Sequence, residues 1–220
     1  MAAAQRLGRD FFNRDTVRVA RALLGQRLVR VMPDGTRLAG LILETEAYLG
    51  PDDLAAHTAG YRRTERTEPM WMAGGTAYVF LTYGMHHLLN VSTAGEGVPQ
   101  AVLIRAIEPV EGLDAMRSHR PAARYDTDLG SGPAKLTQAM AIDRELDRDD
   151  LTTSPRLFIE QARHRALPST QIAVTRRIGI DYAGAWAAAP LRFHIADHPG
   201  VSRPPRRLSP PTSGLPACEV

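Results

Sequence analysis

Leu38-Ala39-Gly40-Leu41-Ile42-Leu43-Glu44-Thr45-Glu46-Ala47-Tyr48-Leu49-Gly50 is the stretch on which the reading of this chain turns. Leu38 to Leu43 is apolar and reads as a buried strand. Side chains alternate along a strand, so Ile42, Glu44, Glu46 and Tyr48 are expected on one face and Leu41, Leu43 and Ala47 on the other. Two carboxylates leaving a core strand beside an aromatic ring are costly to bury unless something pairs with them. The segment therefore has two readings. It is an edge strand whose polar face meets water, or it is a site whose chemistry needs a base.

Upstream, Asp15 and Thr16 suit the cap of a helix carrying Val17, Val19, Ala20, Leu23 and Leu24, closed by Gly25. Gln26 to Met32 reads as a strand that turns at Pro33-Asp34-Gly35 into Arg37 to Tyr48, forming a β-hairpin. Gly50 to Gly75 reads as a long polar loop with His57, Arg62, Arg63 and Arg66, and such loops are usually functional or mobile. Thr76 to Leu81 and Met85 to Ser92 form a second hairpin around Tyr83-Gly84, followed by the apolar strand Ala101 to Ile107. A helix is expected over Glu111 to Arg120, a loop over Ala122 to Leu129, and a helix from Gly132-Pro133 to Met140, since proline suits a first helical position. Arg176 to Ile180 and Leu191 to Ile195 read as short strands. Hairpins with helices between them predict an α+β fold rather than a doubly wound parallel sheet.

The chain has 220 residues and 44% hydrophobic content, enough for one sizeable core. One globular domain over residues 1–200 is expected, with a Pro/Arg-rich, disordered tail over 201–220. No stretch approaches the roughly 20 apolar residues of a membrane span, and Met1 to Asp10 does not read as a secretory signal. The single cysteine, Cys218, fits a reducing cytoplasm. Net charge is +3, and of 27 basic residues only Lys135 is a lysine. Arginine is the better fork for phosphate, which permits a polyanionic partner.

Arg105, in the middle of its apolar strand, needs carboxylates around it, and Glu44 and Glu46 are the candidates. They form either a structural ion pair or an Arg and a Glu that hold a water between them. Tyr78 and Phe80 read as strand aromatics, whereas Tyr83 at a hairpin tip suits a wedge that enters a base stack. His86 and His87 are adjacent in a strand and point to opposite faces, and no metal-ligand spacing is present, so neither metal nor cofactor is expected. No phosphate-cradling glycine loop and no serine nucleophile elbow occurs. Two classes survive: a hydrolase using Glu46 at a sugar C1′–leaving-group bond, and a basic nucleic-acid-binding module with structural glutamates.

Glu44 to Gly50 with Ala55-Ala56-His57, Tyr83-Gly84-Met85, Asn90-Val91-Ser92, Leu103-Ile104-Arg105-Ala106, Ser131 to Leu136 and Pro190-Leu191-Arg192-Phe193, in this order, resemble the alkyladenine (3-methyladenine) DNA glycosylase family. The likeness runs from about Phe11 to about Gly200. It implies a single α+β domain with a curved antiparallel sheet, flanking helices and a protruding hairpin. It also implies removal of 3-methyladenine, 7-methylguanine, hypoxanthine and ethenoadenine from double-stranded DNA by a cytoplasmic, monomeric repair enzyme. By the same resemblance Glu46 is the general base and Arg105 its partner in positioning water. Tyr48, Ala55, His57, Phe80 and Asn90 form the base pocket, Asn90 excluding the 2-amino group of guanine. Tyr83, with Met85 beside it, fills the gap left in the duplex. Phe80 stands where vertebrate members carry tyrosine, so stacking should persist without a hydroxyl contact.

The physics is compatible with that assignment. A base inside a duplex must be flipped out, at a cost of a few kcal/mol. A cationic alkylated purine between Tyr48 and Phe80 would gain on the order of 0.5–2 kcal/mol from the ring faces. Neutral deaminated bases leave less readily and need a proton or hydrogen bond at the purine. Strand-cutting glycosylases use an amine nucleophile, and with Lys135 read as a backbone or phosphate contact, a water-based, strand-sparing reaction is expected.

Overall fold

The computed structural model describes residues 5–202. Helices α1 (Arg9–Phe12) and α2 (Thr16–Leu23) lead into strands β1 (Arg27–Val31) and β2 (Arg37–Tyr48). Helix α3 (Glu68–Trp71) precedes β3 (Ala77–Thr82), β4 (His86–Thr93) and β5 (Gln100–Glu111). Helices α4 (Leu113–His119), α5 (Asp126–Gly130) and α6 (Pro133–Ala139) follow, then the short strands β6 (Leu157–Glu160), β7 (Ile172–Thr175) and β8 (Arg192–Ile195). The strands form one antiparallel sheet in the order β3-β4-β5-β2-β1-β6, with β8 also paired to β2 and β7 to β8. The architecture is α+β, as expected.

Strand β2 is the axis of the sheet. β5 pairs with it from Ala39 to Tyr48. β1 pairs with it as far as Leu41, and β8 takes over from Glu44 to Glu46. The two glutamates therefore sit where β2 exchanges one neighbour for another. The β2–β5 register shifts on either side of Glu44, leaving Leu43 and Arg105 without partners in the ladder. Such bulges re-aim side chains. Here they break the alternation: Ile42, expected beside the glutamates, packs in the main core with Ala47, while Leu43 meets Gly200.

Helix α2 forms as its sequence dictates. The Asp15 carboxylate accepts the Arg18 N–H at 2.9 Å, a cap whose removal costs about 1 kcal/mol. Val19, Ala20 and Leu23 are buried toward the sheet, and the Thr45 hydroxyl donates to the Ala20 carbonyl at 2.9 Å. Gly25, at φ +76°, ends the helix in a conformation that favours glycine.

Several elements differ from the sequence reading. β5 runs on to Glu111, so α4 starts at Leu113, after Gly112 turns the chain at φ +75°. The segment read as a loop over Ala122 to Leu129 contains most of α5, where the Asp128 carboxylate accepts the Tyr125 N–H at 3.3 Å. The polar segment from Gly50 to Gly75 holds a 3₁₀ turn at Ala59–Tyr61 and the one-turn α3. Arg176 to Ile180 is not a strand. The strand is Ile172–Thr175, and the chain then leaves the sheet because Arg177 turns inward to a buried carboxylate. α1 and β6 have patterns too short to stand out. Val201 and Ser202 of the proposed tail are described, and the rest of it lies outside the described residues. Among the described residues no helix is long and apolar enough to cross a membrane.

Candidate active site

Glu44 and Glu46 are both fully buried and both contact Arg105, itself only 6% exposed. Glu44 Oε1 accepts from Arg105 Nε at 2.9 Å and from Arg192 Nε at 2.6 Å. Ser202 adds its backbone N–H to Oε2 at 2.8 Å and its hydroxyl to Oε1 at 2.9 Å. Burial alone would raise the Glu44 carboxyl, but Arg105, Arg192 and these hydrogen bonds outweigh it and hold the group below the usual carboxylate range. The Arg105 guanidinium is likewise pushed down by burial but held above its ordinary value by Glu46 and Glu44. These charges are compensated inside the fold, and removing one partner of such a cluster costs about 3–5 kcal/mol.

Glu46 is held differently. Its Oε1 accepts the Ile178 backbone N–H at 2.8 Å, and its Oε2 accepts the Tyr48 hydroxyl at 2.9 Å. Arg105 Nη1 stands 3.3 Å from Oε2. Burial and the adjacent Glu46 charge push the Tyr48 hydroxyl well above its ordinary value, so it stays protonated and donates. Carboxylate oxygens have room for about four hydrogen bonds between them. The Glu46 contacts leave space for one more donor, while the Glu44 oxygens are surrounded.

Tyr48 and the Ile178 N–H are fixed by a second buried pair. The Asp53 carboxylate receives both Arg177 terminal nitrogens, at 2.5 and 2.8 Å, and also the N–H groups of Leu49 at 3.0 Å and Ala55 at 3.0 Å. Arg177 Nη1 donates to the Ala47 carbonyl at 2.9 Å. The Arg177 guanidinium lies 4.7 Å from the centre of the Tyr48 ring. Tyr48, Ala55, Ile180 and Ala183 pack together beside it.

A cleft of about 680 Å³ opens above this arrangement. Tyr48, Ala55, His57, Phe80, Tyr83, Asn90 and Arg105 all line it. Glu46 lies behind its wall, reached through Tyr48 and Arg105. Met85 faces a smaller recess with His86 and His87 instead. The aromatic wall is built from β3 and the loop before α3. Phe80 stacks tilted against Tyr78 at 5.1 Å, and His57 meets the Phe80 ring edge-on at 4.7 Å. His57 Nδ1 is 2.7 Å from the Tyr78 hydroxyl. Burial, reinforced by Arg66 and Arg62, lowers His57 to about 4, so the ring is neutral at physiological pH. Asn90 Nδ2 donates to the Tyr78 carbonyl at 3.4 Å, with β5 alongside. At the hairpin tip Tyr83 takes φ +50° ahead of Gly84 and is 90% exposed, with Met85 at 69%.

Sequence reasoning missed the residues that finish the site. Arg177, Asp53, Ser202, Tyr78 and Arg66 all contact the expected residues; in the sequence Tyr78 reads only as a strand aromatic, Arg66 only as a loop arginine and Arg192 only as part of a string. A buried arginine in a strand was a usable signal at Arg105, and it applied equally at Arg192. Ile178 acts through its backbone, which no side-chain pattern reports. The ring faces expected to grip a cationic base each carry an arginine: Arg177 at Tyr48 and Arg66 at 5.0 Å from Phe80. Among the described residues no cluster of His, Cys, Asp or Glu could hold a metal ion.

The sequence profile of the family described as Methylpurine-DNA glycosylase (MPG) matches residues 10–199. The chain is 47% identical over 205 residues to the DNA-3-methyladenine glycosylase of Mus musculus, covering 90% of this chain and 61% of the mouse protein. It is 45% identical over 205 residues to the Homo sapiens protein of that name, covering 90% and 68%. Against the Rattus norvegicus protein of the same name it is 46% identical over 206 residues, covering 90% and 63%. The chain thus spans less than two thirds of the mouse and rat proteins.

Proposed function

The chain belongs to the methylpurine-DNA glycosylase family, and from that premise we propose that it is a monofunctional DNA glycosylase of base excision repair. Its substrates are alkylated or deaminated purines in double-stranded DNA: 3-methyladenine, 7-methylguanine, hypoxanthine and ethenoadenine. The observation that carries this reading is the Glu46 carboxylate behind an aromatic-walled cleft, held by Tyr48, Arg105 and a backbone N–H, beneath an exposed hairpin tip.

Those contacts support the following course of reaction. The damaged nucleotide swings out of the duplex while Tyr83, with Met85 beside it, takes the vacated space. The purine enters between Tyr48 and the wall of His57 and Phe80, with Asn90 and Ala55 bounding the pocket. A water reaching Glu46 between Tyr48 and Arg105 gives its proton to the carboxylate as its oxygen bonds to C1′. The C1′–N bond breaks and its electron pair leaves with the base. The Tyr48 hydroxyl and the Ile178 N–H keep Glu46 oriented, and Arg105 keeps the local charge fixed. We place this work in the cytoplasm, by a monomer that needs neither metal nor cofactor.

Lys135, the only lysine, lines the same cleft with its ammonium 3.2 Å from the Ser131 hydroxyl. Strand cleavage therefore belongs in the test. Duplexes carrying one defined lesion each should release the free base and keep an intact strand until alkali is added. Lesion binding without base release would leave a binding module. Strand breaks without alkali would make an amine the nucleophile.

A further inference from the structure

The loop before α3 carries three arginines, Arg62, Arg63 and Arg66. Arg63 is held by Glu68 at 2.8 and 2.6 Å, and Glu65 is taken by Arg148. Arg66 forms no ion pair among the described residues. Its guanidinium carbon lies 5.0 Å from the Phe80 ring centre, and it lines the cleft together with His57 and Tyr78. Its charge also reaches both of those residues. It adds to the burial that lowers His57, and it opposes the burial that raises the Tyr78 hydroxyl to about 12. With His57 neutral, the Arg66 charge stands against the Phe80 ring of the aromatic wall, and Arg62 adds a second positive charge near His57.

Resting on the glycosylase reading above, we propose that Arg66 is a specificity-determining residue that favours neutral purines with an acceptor edge over cationic N-alkylated purines. Hypoxanthine presents oxygen and nitrogen acceptors of the kind an arginine fork meets on guanine. As its bond to C1′ breaks, negative charge collects on the departing base, and a guanidinium at that edge stabilises it. A cationic base gains nothing of this kind. It must share the Phe80 ring with Arg66 or displace it, bringing two like charges together at one ring face.

The test is single-turnover excision of hypoxanthine and of 3-methyladenine, in the same duplex context, by the wild type and by Arg66→Gln, Arg66→Ala and Arg66→Lys. Thermal melts serve as the folding control. Loss of the guanidinium should slow hypoxanthine release about tenfold and leave 3-methyladenine release unchanged or faster, with Arg66→Lys recovering part of the loss. Equal losses on both lesions, with a flatter salt dependence, would make Arg66 a phosphate contact and overturn the proposal, as would no change on either lesion. A wild-type protein that releases neither base would instead overturn the glycosylase reading, and this inference with it.

Discussion

Glu44 and Glu46 stand two residues apart on β2 and share Arg105, yet they live in different surroundings. Glu44 is closed in by Arg105, Arg192 and both polar groups of Ser202. Glu46 has one backbone amide, one tyrosine hydroxyl and the far nitrogen of Arg105, and the Tyr48 and Arg105 side chains also line the cleft. The difference teaches how a protein can keep two carboxylates in one buried strand. The enclosed one anchors the arginine, and the anchored arginine then orients the one beside the opening. Buried charge is tolerable at Glu46 because Glu44 has already fixed its counter-charge.

The sharpest way to break the comparison is to exchange each carboxylate for an amide. Glu46→Gln is expected to cut single-turnover excision by about 10²–10⁴-fold, the usual contribution of a positioned general base, while lesion binding persists. Wild-type turnover in this variant would remove Glu46 from the role. Glu44→Gln is expected to act through stability instead, losing about 3–5 kcal/mol because the two buried guanidiniums lose the charge of the carboxylate they share. Urea unfolding of both variants measures the contrast. If Glu44→Gln were the dead but stable variant, the two assignments would have to be exchanged.

Acid sharpens the picture further. His57 sits at about 4 in the folded protein against 6.5 ordinarily, so the unfolded chain binds its proton first as pH falls. Its contribution is full above 6.5 and is lost between 6.5 and about 4, on the order of 3 kcal/mol in all. Glu44, held below the usual carboxylate range, loses its share at still lower pH, as its folded-state carboxyl protonates. Melting followed from pH 7 to 4 should therefore fall in the wild type and fall less in His57→Gln. An identical slope in the two proteins would mean that His57 is not the group responsible.

The smallest effect on the fold is expected at Tyr83. Being 90% exposed, Tyr83→Ala should leave stability within about 0.5 kcal/mol. It should nonetheless weaken excision from fully paired duplex more than from a flexible, mismatched context, because plugging the stack matters most where unstacking is expensive. Equal loss in both contexts would reduce Tyr83 to ordinary hairpin packing.

Local pattern made much of this molecule legible. The α2 cap at Asp15, the turn at Pro33-Asp34-Gly35 and the Tyr83-Gly84 tip each rest on residues within a few positions of one another. The same holds for the two carboxylates two apart on a strand and for an arginine stranded among aliphatics. Short-range periodicity and capping are written in consecutive residues, so they can be read there. The bulges that put Arg105 out of its ladder and turned Ile42 into the core could not be read, because they depend on how two strands meet. Nor could the partners of the charged groups. Arg177 comes to Asp53, and Ser202 and Arg192 come to Glu44, from more than a hundred residues away in the sequence. A buried charge requires a counter-charge but does not say which one. That choice is made only when the sheet closes and brings β8, the loop after β7 and the end of the described chain onto β2.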